Sequence, residues 1–429
     1  MLQFLFRERK TAIDGLKGFK NQPLTPKLFG VMAEYTTKSK LAHLNPWRKT
    51  GSPTAGFPIE FLLAFDIFPI HPEAYACYAG SAGVTRRPIE EAESQGYSRD
   101  LCSYMKTSIG ATDLGWPCDF GGVPQPDFYV SANAVCDTHI KWFENEARRH
   151  GVPYFGLDIP SHVAGRGDDQ DLEREIDYVV AQFFDLIAFL EKQSGKKFSE
   201  EKFMRVVGKS QEACAIYHEI LAYRRCLPAA QYFEFQRLFM LPVAVMWNLD
   251  GCIAYYRRVL AELRRRYGDT PPTDLGEREK YRLMWEGITI WYKVDLYYWL
   301  AEKGARFVYE QYTDSFGIRR RKTTTFPETL RQIASEIITL PYTLNLEKRI
   351  AWMEQKIDEY AIDGVVLHAN LSCRPAAAAQ QDVKNAIQKS KGIPVLILSA
   401  DMDDPRSYSD EQIRTRCESF IEMMEARRG

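Results

Sequence analysis

Three cysteines stand where a thiolate could bind a metal centre. Cys136 follows one short strand-like segment of the sequence and Cys373 follows another, and ligands of open parallel sheets bind beyond the carboxyl ends of the strands. Cys102 lies near the predicted start of a helix, where the helix dipole favours the thiolate form. Soft sulfur ligands suit an iron–sulfur cluster, and a cluster held by three cysteines leaves one iron open to a substrate.

The spacing of the cysteines by itself leaves a metal-free interpretation open. No Cys-x-x-Cys pair, the usual mark of zinc and ferredoxin sites, occurs in the chain, and an isolated buried cysteine is more often a small core residue than a ligand. Cys118, in a loop segment, is a candidate fourth thiolate, although loop cysteines are commonly bystanders. The remaining cysteines fall in helical patterns and are predicted to be core residues: Cys77, Cys214, Cys226, Cys252 and Cys417.

Polar side chains near these segments could move protons. Histidine is the usual proton carrier near neutral pH, which makes His71 and His139 candidate catalytic residues, together with Glu60. The commoner role of any single histidine is a structural hydrogen bond, and a glutamate in a first helical turn often only complements the helix dipole. His162 and His368 are further candidates of the same kind.

The composition is that of an ordinary globular protein that keeps its thiols reduced. The 429-residue chain carries 56 basic and 57 acidic residues, a balance that argues against a dedicated nucleic-acid binder. Nine cysteines in a chain of this length do not resemble the dense, even-numbered pattern of small secreted proteins. The sequence shows no signal-peptide pattern and no apolar run of the roughly 20 residues that span a bilayer, so we expect a cytoplasmic protein without a membrane segment.

Strand-like segments alternate with helical patterns at both ends of the chain. Residues 127–131 and 152–158 are β-prone and flank a helical run, which predicts a parallel βαβ unit. Residues 363–368 and 393–398 are apolar and β-branched, as buried parallel strands tend to be, and residues 287–291 form a weaker strand candidate. The predicted fold is α/β, with Rossmann-like N- and C-terminal lobes that contain parallel sheets around a helical middle region.

Breaks in these patterns divide the chain into three predicted parts. They are an N-terminal α/β lobe with Cys102 and Cys136 (1–195), a helical middle region (196–280) and a C-terminal α/β lobe with Cys373 (281–429). Ser98 is the predicted N-cap of the helix that carries Cys102, and Ser199 is the predicted N-cap of the first middle helix. The sequences of the two α/β lobes show no repeat of one another.

Phosphate-binding patterns are incomplete in this sequence. Gly208, Lys209 and Ser210 resemble the end of a phosphate-binding loop, but Phe203 stands where the first glycine of that loop belongs. No Gly-x-Gly-x-x-Gly fingerprint occurs either, so we predict no nucleotide site on this chain. Two basic runs, at 264–266 and 319–322, could bind phosphate groups or a partner protein, although such runs are usually solvated surface.

Three stretches of the chain resemble the 2-hydroxyacyl-CoA dehydratase and benzoyl-CoA reductase family. They are residues 58–72 with 102–106, residues 133–144, and residues 368–375 with 392–396 and 401–421. Their order follows the family from about residue 55 to the C-terminus, whereas residues 196–340 carry little that matches. The combination of the three motifs is specific, and each motif alone is not.

The resemblance implies a cofactor, a substrate class and partners. It implies that Cys102, Cys136 and Cys373 bind a [4Fe-4S] cluster and that the substrate is an acyl-CoA. It also implies a pseudo-symmetric heterodimer with a related cluster-bearing subunit. A separate ATP-hydrolysing activator, fed by ferredoxin, would then supply single electrons of very low potential.

Within the family, residues 136–144 and the chain length are most similar to the B subunits of ATP-dependent benzoyl-CoA reductases. This implies an oxidoreductase that adds two electrons and two protons to the aromatic ring, which gives a cyclohexadienoyl-CoA. In many dehydratases a second cysteine follows close to the one that matches Cys136, and here His139 stands in that place. A 2-hydroxyacyl-CoA dehydratase subunit and a non-catalytic electron-relay or scaffold subunit stay open as alternatives.

Overall fold

The computed structural model describes residues 34–35, 37–42, 44–45, 48–115, 118, 122–160, 169–230, 240–245, 249–271, 279–318, 321–340 and 344–428. Within this part of the chain the strands form two four-stranded sheets, and every strand pair is parallel. The predicted α/β class, with one parallel sheet in each end of the chain, is confirmed. Of the helices described, none combines the length and the apolar character needed to cross a membrane.

The first sheet is built by β1 (Thr50–Pro53), β2 (Phe68–Pro69), β3 (Phe128–Ala132) and β4 (Tyr154–Leu157) in the order β2-β1-β3-β4. The predicted βαβ unit is confirmed, because β3 pairs in parallel with β4 across the helix Thr138–His150. Strand β1 was not predicted, because Gly51 and Pro53 disfavour strands and Thr50 is its one β-branched residue. Tertiary packing rather than local propensity makes this segment a strand. It pairs closely with β3, and a Cβ on Gly51 would lie 2.8 Å from the Phe128 ring of that strand.

The second sheet is built by β5 (Tyr281–Glu286), β6 (Ala305–Glu310), β7 (Gly364–Asn370) and β8 (Val395–Ala400) in the order β6-β5-β7-β8. Both sheets thus repeat one topology, in which the first strand lies between the second and the third. The strand predicted at 287–291 is wrong, because β5 ends at Glu286 and Gly287 turns the chain with a φ of 99°. A 3₁₀ turn follows at Trp291–Lys293.

Helices cover the sheets and fill the middle of the chain. In chain order they are α1 (Glu60–Ala64), α2 (Pro72–Ser81), α3 (Arg86–Ser94), α4 (Ser103–Leu114), α5 (Thr138–His150), α6 (Asp169–Ser194), α7 (Glu200–Ala222), α8 (Leu241–Val245), α9 (Leu249–Tyr267), α10 (Val294–Glu302), α11 (Gln311–Asp314), α12 (Phe326–Ile338), α13 (Leu346–Glu359), α14 (Arg374–Ala377), α15 (Gln380–Lys391) and α16 (Asp410–Ala426). The predicted N-cap at Ser199 is confirmed, since its side chain accepts the Lys202 N–H. The predicted N-cap at Ser98 is wrong: α4 begins at Ser103 and its N-cap is Cys102 itself.

One large hydrophobic core joins the first sheet to the middle helices, and two smaller cores cover the faces of the second sheet. The large core extends to α12, which lies inside the predicted C-terminal lobe but packs against α6 and α7. It also includes Met402, from the loop after β8. Because the lobes share a core in this way, the boundaries at 195 and 280 stay a prediction.

A charged cluster ties the loop after β8 to the first lobe. Arg406 donates to both carboxylate oxygens of Glu93, at 2.8 and 2.7 Å, and Lys106 donates to the same carboxylate at 2.9 Å. The hydrogen bonds from Arg406 hold the pKa of Glu93 at about 2. The bidentate geometry makes this contact stronger than an ordinary surface ion pair.

We expect Glu93→Gln to lower the free energy of unfolding at pH 7, because it removes the ion pairs with Arg406 and Lys106. The loss should be only about 1–2 kcal/mol, because solvent partly screens these charges. A depressed carboxyl pKa stabilises the fold at pH values above the unfolded-state pKa of about 4.3. That stabilisation is lost as the pH falls from there toward 2. Urea unfolding should therefore show a smaller difference in the free energy of unfolding between wild type and Glu93→Gln at pH 3 than at pH 7. The control is Glu425→Gln, at an exposed pair with Lys280, which should leave the free energy of unfolding unchanged at both pH values. An equal gap at both pH values would contradict the assignment.

Candidate functional site

The two sheets present equivalent edges to the site. Cys136 follows β3 and Cys373 follows β7, which are the third strands of the two sheets in chain order. Each of these strands borders the crevice where the strand order reverses, the place where open α/β sheets bind ligands. The predicted position of both cysteines beyond the carboxyl ends of strands is confirmed.

Burial separates the three candidate ligands from the other cysteines. All nine cysteines are described and all are free thiols, but only Cys102, Cys136 and Cys373 are partly exposed. Cys102 is the N-cap of α4 and Cys373 is the N-cap of the short helix α14. Burial raises the pKa of both thiols, and the nearby backbone N–H groups of Met105 and Ala376 offset part of that effect.

Residues next to the three cysteines in the sequence form hydrogen bonds that join the three segments. Beside Cys102 and Cys373, the Ser103 N–H donates to Ser372 Oγ at 3.1 Å. Beside Cys373 and Cys136, Arg374 donates to Asp137 at 3.0 Å. The Cys373 segment therefore touches both of the other segments directly beside the sulfur-bearing residue.

The thiols also influence one another electrostatically. Burial and then the charges of Cys373 and Cys136 raise the pKa of Cys102 well above its usual value. Burial, with a contribution from Cys136, raises the pKa of Cys373 to about 12. Because the charge of Cys136 disfavours the charged forms of Cys102 and Cys373, a bound cation would stabilise this site.

His139 stands beside Cys136 and is held there by Glu73. Burial opposes the charged form of the Cys136 thiol, but the nearby His139, chiefly through its charge, outweighs burial and lowers the pKa of the thiol. The His139 Nε2 lies 2.9 Å from Glu73 Oε1, and the other oxygen of Glu73 accepts the Ala55 N–H at 2.5 Å. Glu73 was not predicted from the sequence, because nothing local links it to a histidine 66 residues away.

The other predicted polar residues have structural partners. His71 Nε2 lies 3.0 Å from the Val245 carbonyl oxygen, and burial lowers the pKa of His71 to about 4, so the ring is neutral near pH 7. Glu60 is buried and accepts a hydrogen bond from Ser210 Oγ at 2.7 Å. His368 is buried with its ring nitrogens against two backbone carbonyls. His162 lies outside the described residues.

The remaining candidates of the sequence analysis lie in ordinary surroundings. Cys118 is buried with its sulfur 3.3 Å from the Tyr75 hydroxyl. The tripeptide 208–210 lies inside the long helix α7. In the basic run at the end of α9, Arg264 pairs with Glu219, and Arg265 and Arg266 pair with Glu262. In the second run, residues 319 and 320 lie outside the described residues.

A single metal ion does not suit the arrangement. Across the described ranges, no group of three or more His, Cys, Asp or Glu side chains is placed to bind one ion. A cluster makes a different demand, because each cysteine binds its own iron and the sulfurs need not converge on one point. The geometry is therefore compatible with a polynuclear group spanning the three segments.

Comparisons with known proteins match most of the chain. The family described as "2-hydroxyglutaryl-CoA dehydratase, D-component" matches residues 54–424. The (R)-2-hydroxyisocaproyl-CoA dehydratase alpha subunit of Clostridioides difficile is 29% identical over 391 residues, which cover 89% of this chain and 91% of that protein. The (R)-phenyllactyl-CoA dehydratase alpha subunit of Clostridium sporogenes is 27% identical, over 89% and 90% of the two chains. The B subunit of benzoyl-CoA reductase from Thauera aromatica is 28% identical, over 86% and 87%.

A short bifunctional alkylating reagent tests whether the three cysteines adjoin. In anaerobic protein freed of metal by a chelator, we expect it to bridge pairs among Cys102, Cys136 and Cys373, because their segments are in contact. Peptide mapping by mass spectrometry identifies the bridges, and buried Cys417 serves as the unmodified control. Single alkylation at each of the three positions without any bridge would refute the convergence.

Proposed function

The chain belongs to the 2-hydroxyglutaryl-CoA dehydratase D-component family, and we propose that it is the [4Fe-4S]-bearing subunit of an enzyme acting on an acyl-CoA thioester. The observation that carries the proposal is the contact between the segments that contain Cys102, Cys136 and Cys373. These cysteines come from three distant segments, and their chain neighbours contact each other. The relatives named above are themselves subunits of enzymes.

The residues present fit such a cluster. Three free, partly exposed thiols supply the soft ligands that a cluster with one open iron needs. Asn370, at the end of β7 and three residues before Cys373, is fully buried, and its side-chain NH₂ has no acceptor among the described residues. Hydrogen-bond donors of this kind tune clusters when they reach a sulfur. When bound, the cluster would supply single electrons of low potential to the substrate.

For the reaction, we favour reduction of an aromatic acyl-CoA. One benzoyl-CoA would take up two electrons and two protons and give one cyclohexadienoyl-CoA. The electrons would come from ferredoxin through a separate ATP-hydrolysing activator. The motif at residues 136–144, with His139 in place of a second cysteine, supports this choice, as does the likeness to the B subunit of a benzoyl-CoA reductase.

The second candidate is a 2-hydroxyacyl-CoA dehydratase subunit. Overall sequence similarity supports this reaction, because dehydratase alpha subunits match the chain at 27% and 29% identity over about nine tenths of its length. It removes one water from the substrate without net uptake of electrons. An anaerobic assay with activator, ATP and reduced ferredoxin separates the two by product: a cyclohexadienoyl-CoA or a 2-enoyl-CoA.

The chain's own residues would orient the site and move protons. His139 is the candidate proton carrier that lies beside a proposed ligand, with Glu73 fixing the ring from the other side. His71 and Glu60 stay proposals with a weaker basis, since each is engaged by a partner of the fold.

A partner subunit would complete the site. Leu371, beside the Cys373 segment, is 60% exposed, and the side chains of Arg374 and Asp137 are 80% and 72% exposed. These residues adjoin the proposed ligands at the surface. We propose that a related subunit covers this face and excludes water from the acyl group, as low-potential chemistry requires.

Iron and acid-labile sulfide content, with an ultraviolet–visible spectrum, tests the cluster under strict anaerobiosis. We expect about four irons per wild-type chain, and loss of most of the iron in Cys136→Ala and Cys373→Ala. Cys417→Ala is the matched control, since that cysteine is buried in the second sheet's core. Wild-type protein that contains no iron when it is prepared with its partner would contradict the assignment of the three cysteines as ligands.

His139→Gln tests the proton carrier. We expect turnover of the acyl-CoA to fall by about 10²–10⁴-fold, the usual contribution of a positioned general acid or base, while the iron content stays at the wild-type level. His150→Gln, on the same helix, is the control and should leave turnover unchanged. Wild-type turnover in His139→Gln would exclude the role.

A further inference from the structure

A buried charged network lies beneath the Cys373 segment. Glu286, the last residue of β5, is 1% exposed and forms an ion pair with Arg349 of α13. Gln380, in the first turn of α15, donates to the second oxygen of Glu286 at 3.1 Å. The three side chains thus join the end of the strand to two helices that flank the segment.

The same network holds the backbone that follows Cys373. Arg349 donates through Nη1 to the Ala378 carbonyl at 3.1 Å, and Gln380 donates to the Ala376 carbonyl. Ala379 takes a left-handed conformation with a φ of 57°, which is costly for a residue with a Cβ. The segment 373–379 is therefore kept in a strained path by side chains from outside it.

The carboxylate of Glu286 lies close to the Cys373 segment. Gln380 bonds both to Glu286 Oε2 and to the Ala376 carbonyl, so one side chain separates the Glu286 carboxylate from the helix that follows Cys373. A buried ion pair contributes little net stability, because desolvation of both charges offsets their attraction. The position of the Glu286–Arg349 pair is better explained by the hydrogen bonds through which Arg349 and Gln380 hold the backbone after Cys373.

We propose that Glu286, Arg349 and Gln380 form a positioning device for the Cys373 ligand, and that Glu286 places a negative charge beside the group bound there. The inference rests on the proposed function for the nature of that group. Arg349 and Gln380 fix the two carbonyls after the sulfur. Glu286 fixes both of these side chains, and its charge would lower the reduction potential of a cluster bound at Cys373.

Hydrogen exchange tests the positioning. The amides of Ala377 and Ala378 bond to the carbonyls of Cys373 and Arg374 at 3.0 and 2.9 Å. In wild type, local opening of this segment must break the hydrogen bond from Arg349 to the Ala378 carbonyl. Arg349→Met removes that bond, so opening costs less free energy and we expect these amides to exchange about tenfold faster or more. Lys391→Met is the matched control, since the Lys391–Asp358 pair joins the same two helices away from the segment. Unchanged exchange in Arg349→Met overturns the inference.

Redox titration of the anaerobic protein tests the charge. Glu286→Gln keeps the shape of the side chain but removes its charge and leaves Arg349 uncompensated. We expect a midpoint potential more positive than that of wild type at unchanged iron content, a change that a purely structural role would not produce. An unshifted potential overturns the inference. Iron-free wild type would instead refute the proposed function, and the exchange experiment would still report on the positioning.

Discussion

The site depends on the contact between the start of α4 and the loop after β7. Ser103, directly after Cys102, donates its backbone N–H to Ser372, directly before Cys373. Through this bond the crevice of the second sheet meets a helix of the first lobe. The same bond places Cys102, from the first lobe, near Cys373, from the second lobe. The Arg374–Asp137 pair joins the Cys136 segment to the same loop.

Buried contacts behind that bond keep α4 in place. Thr107 of α4 donates to the Asp403 carboxylate at 2.8 Å, and Thr85 donates to the Asp403 carbonyl at 2.6 Å. Gly80 allows this approach, since a Cβ there would clash with the same carboxylate. Trp291 adds a hydrogen bond to the Tyr104 hydroxyl. Buried groups from both lobes thus fix the angle at which the Cys102 helix points at the second sheet.

Much of the frame could be predicted from the sequence, because strands such as Val395–Ala400 are apolar and β-branched and their burial is local information. The positions of Cys136 and Cys373 followed from those strands. Other features depend on distant residues. β1 is a strand only because it pairs with β3, and Glu73 belongs to the site only because His139 returns to it in space. The shared strand order of the two sheets leaves no trace in their sequences. The Cys102 helix begins later than Ser98 suggested, at Ser103, whose backbone N–H donates to Ser372.

The central claim is that Cys102, Cys136 and Cys373 together hold one iron–sulfur cluster. Anomalous diffraction at the iron absorption edge, on crystals grown without oxygen, tests it most directly. We predict a single compact group of iron density within bonding distance of all three Sγ atoms. Iron density bonded to fewer than three of these sulfurs, or located elsewhere in the chain, would contradict it.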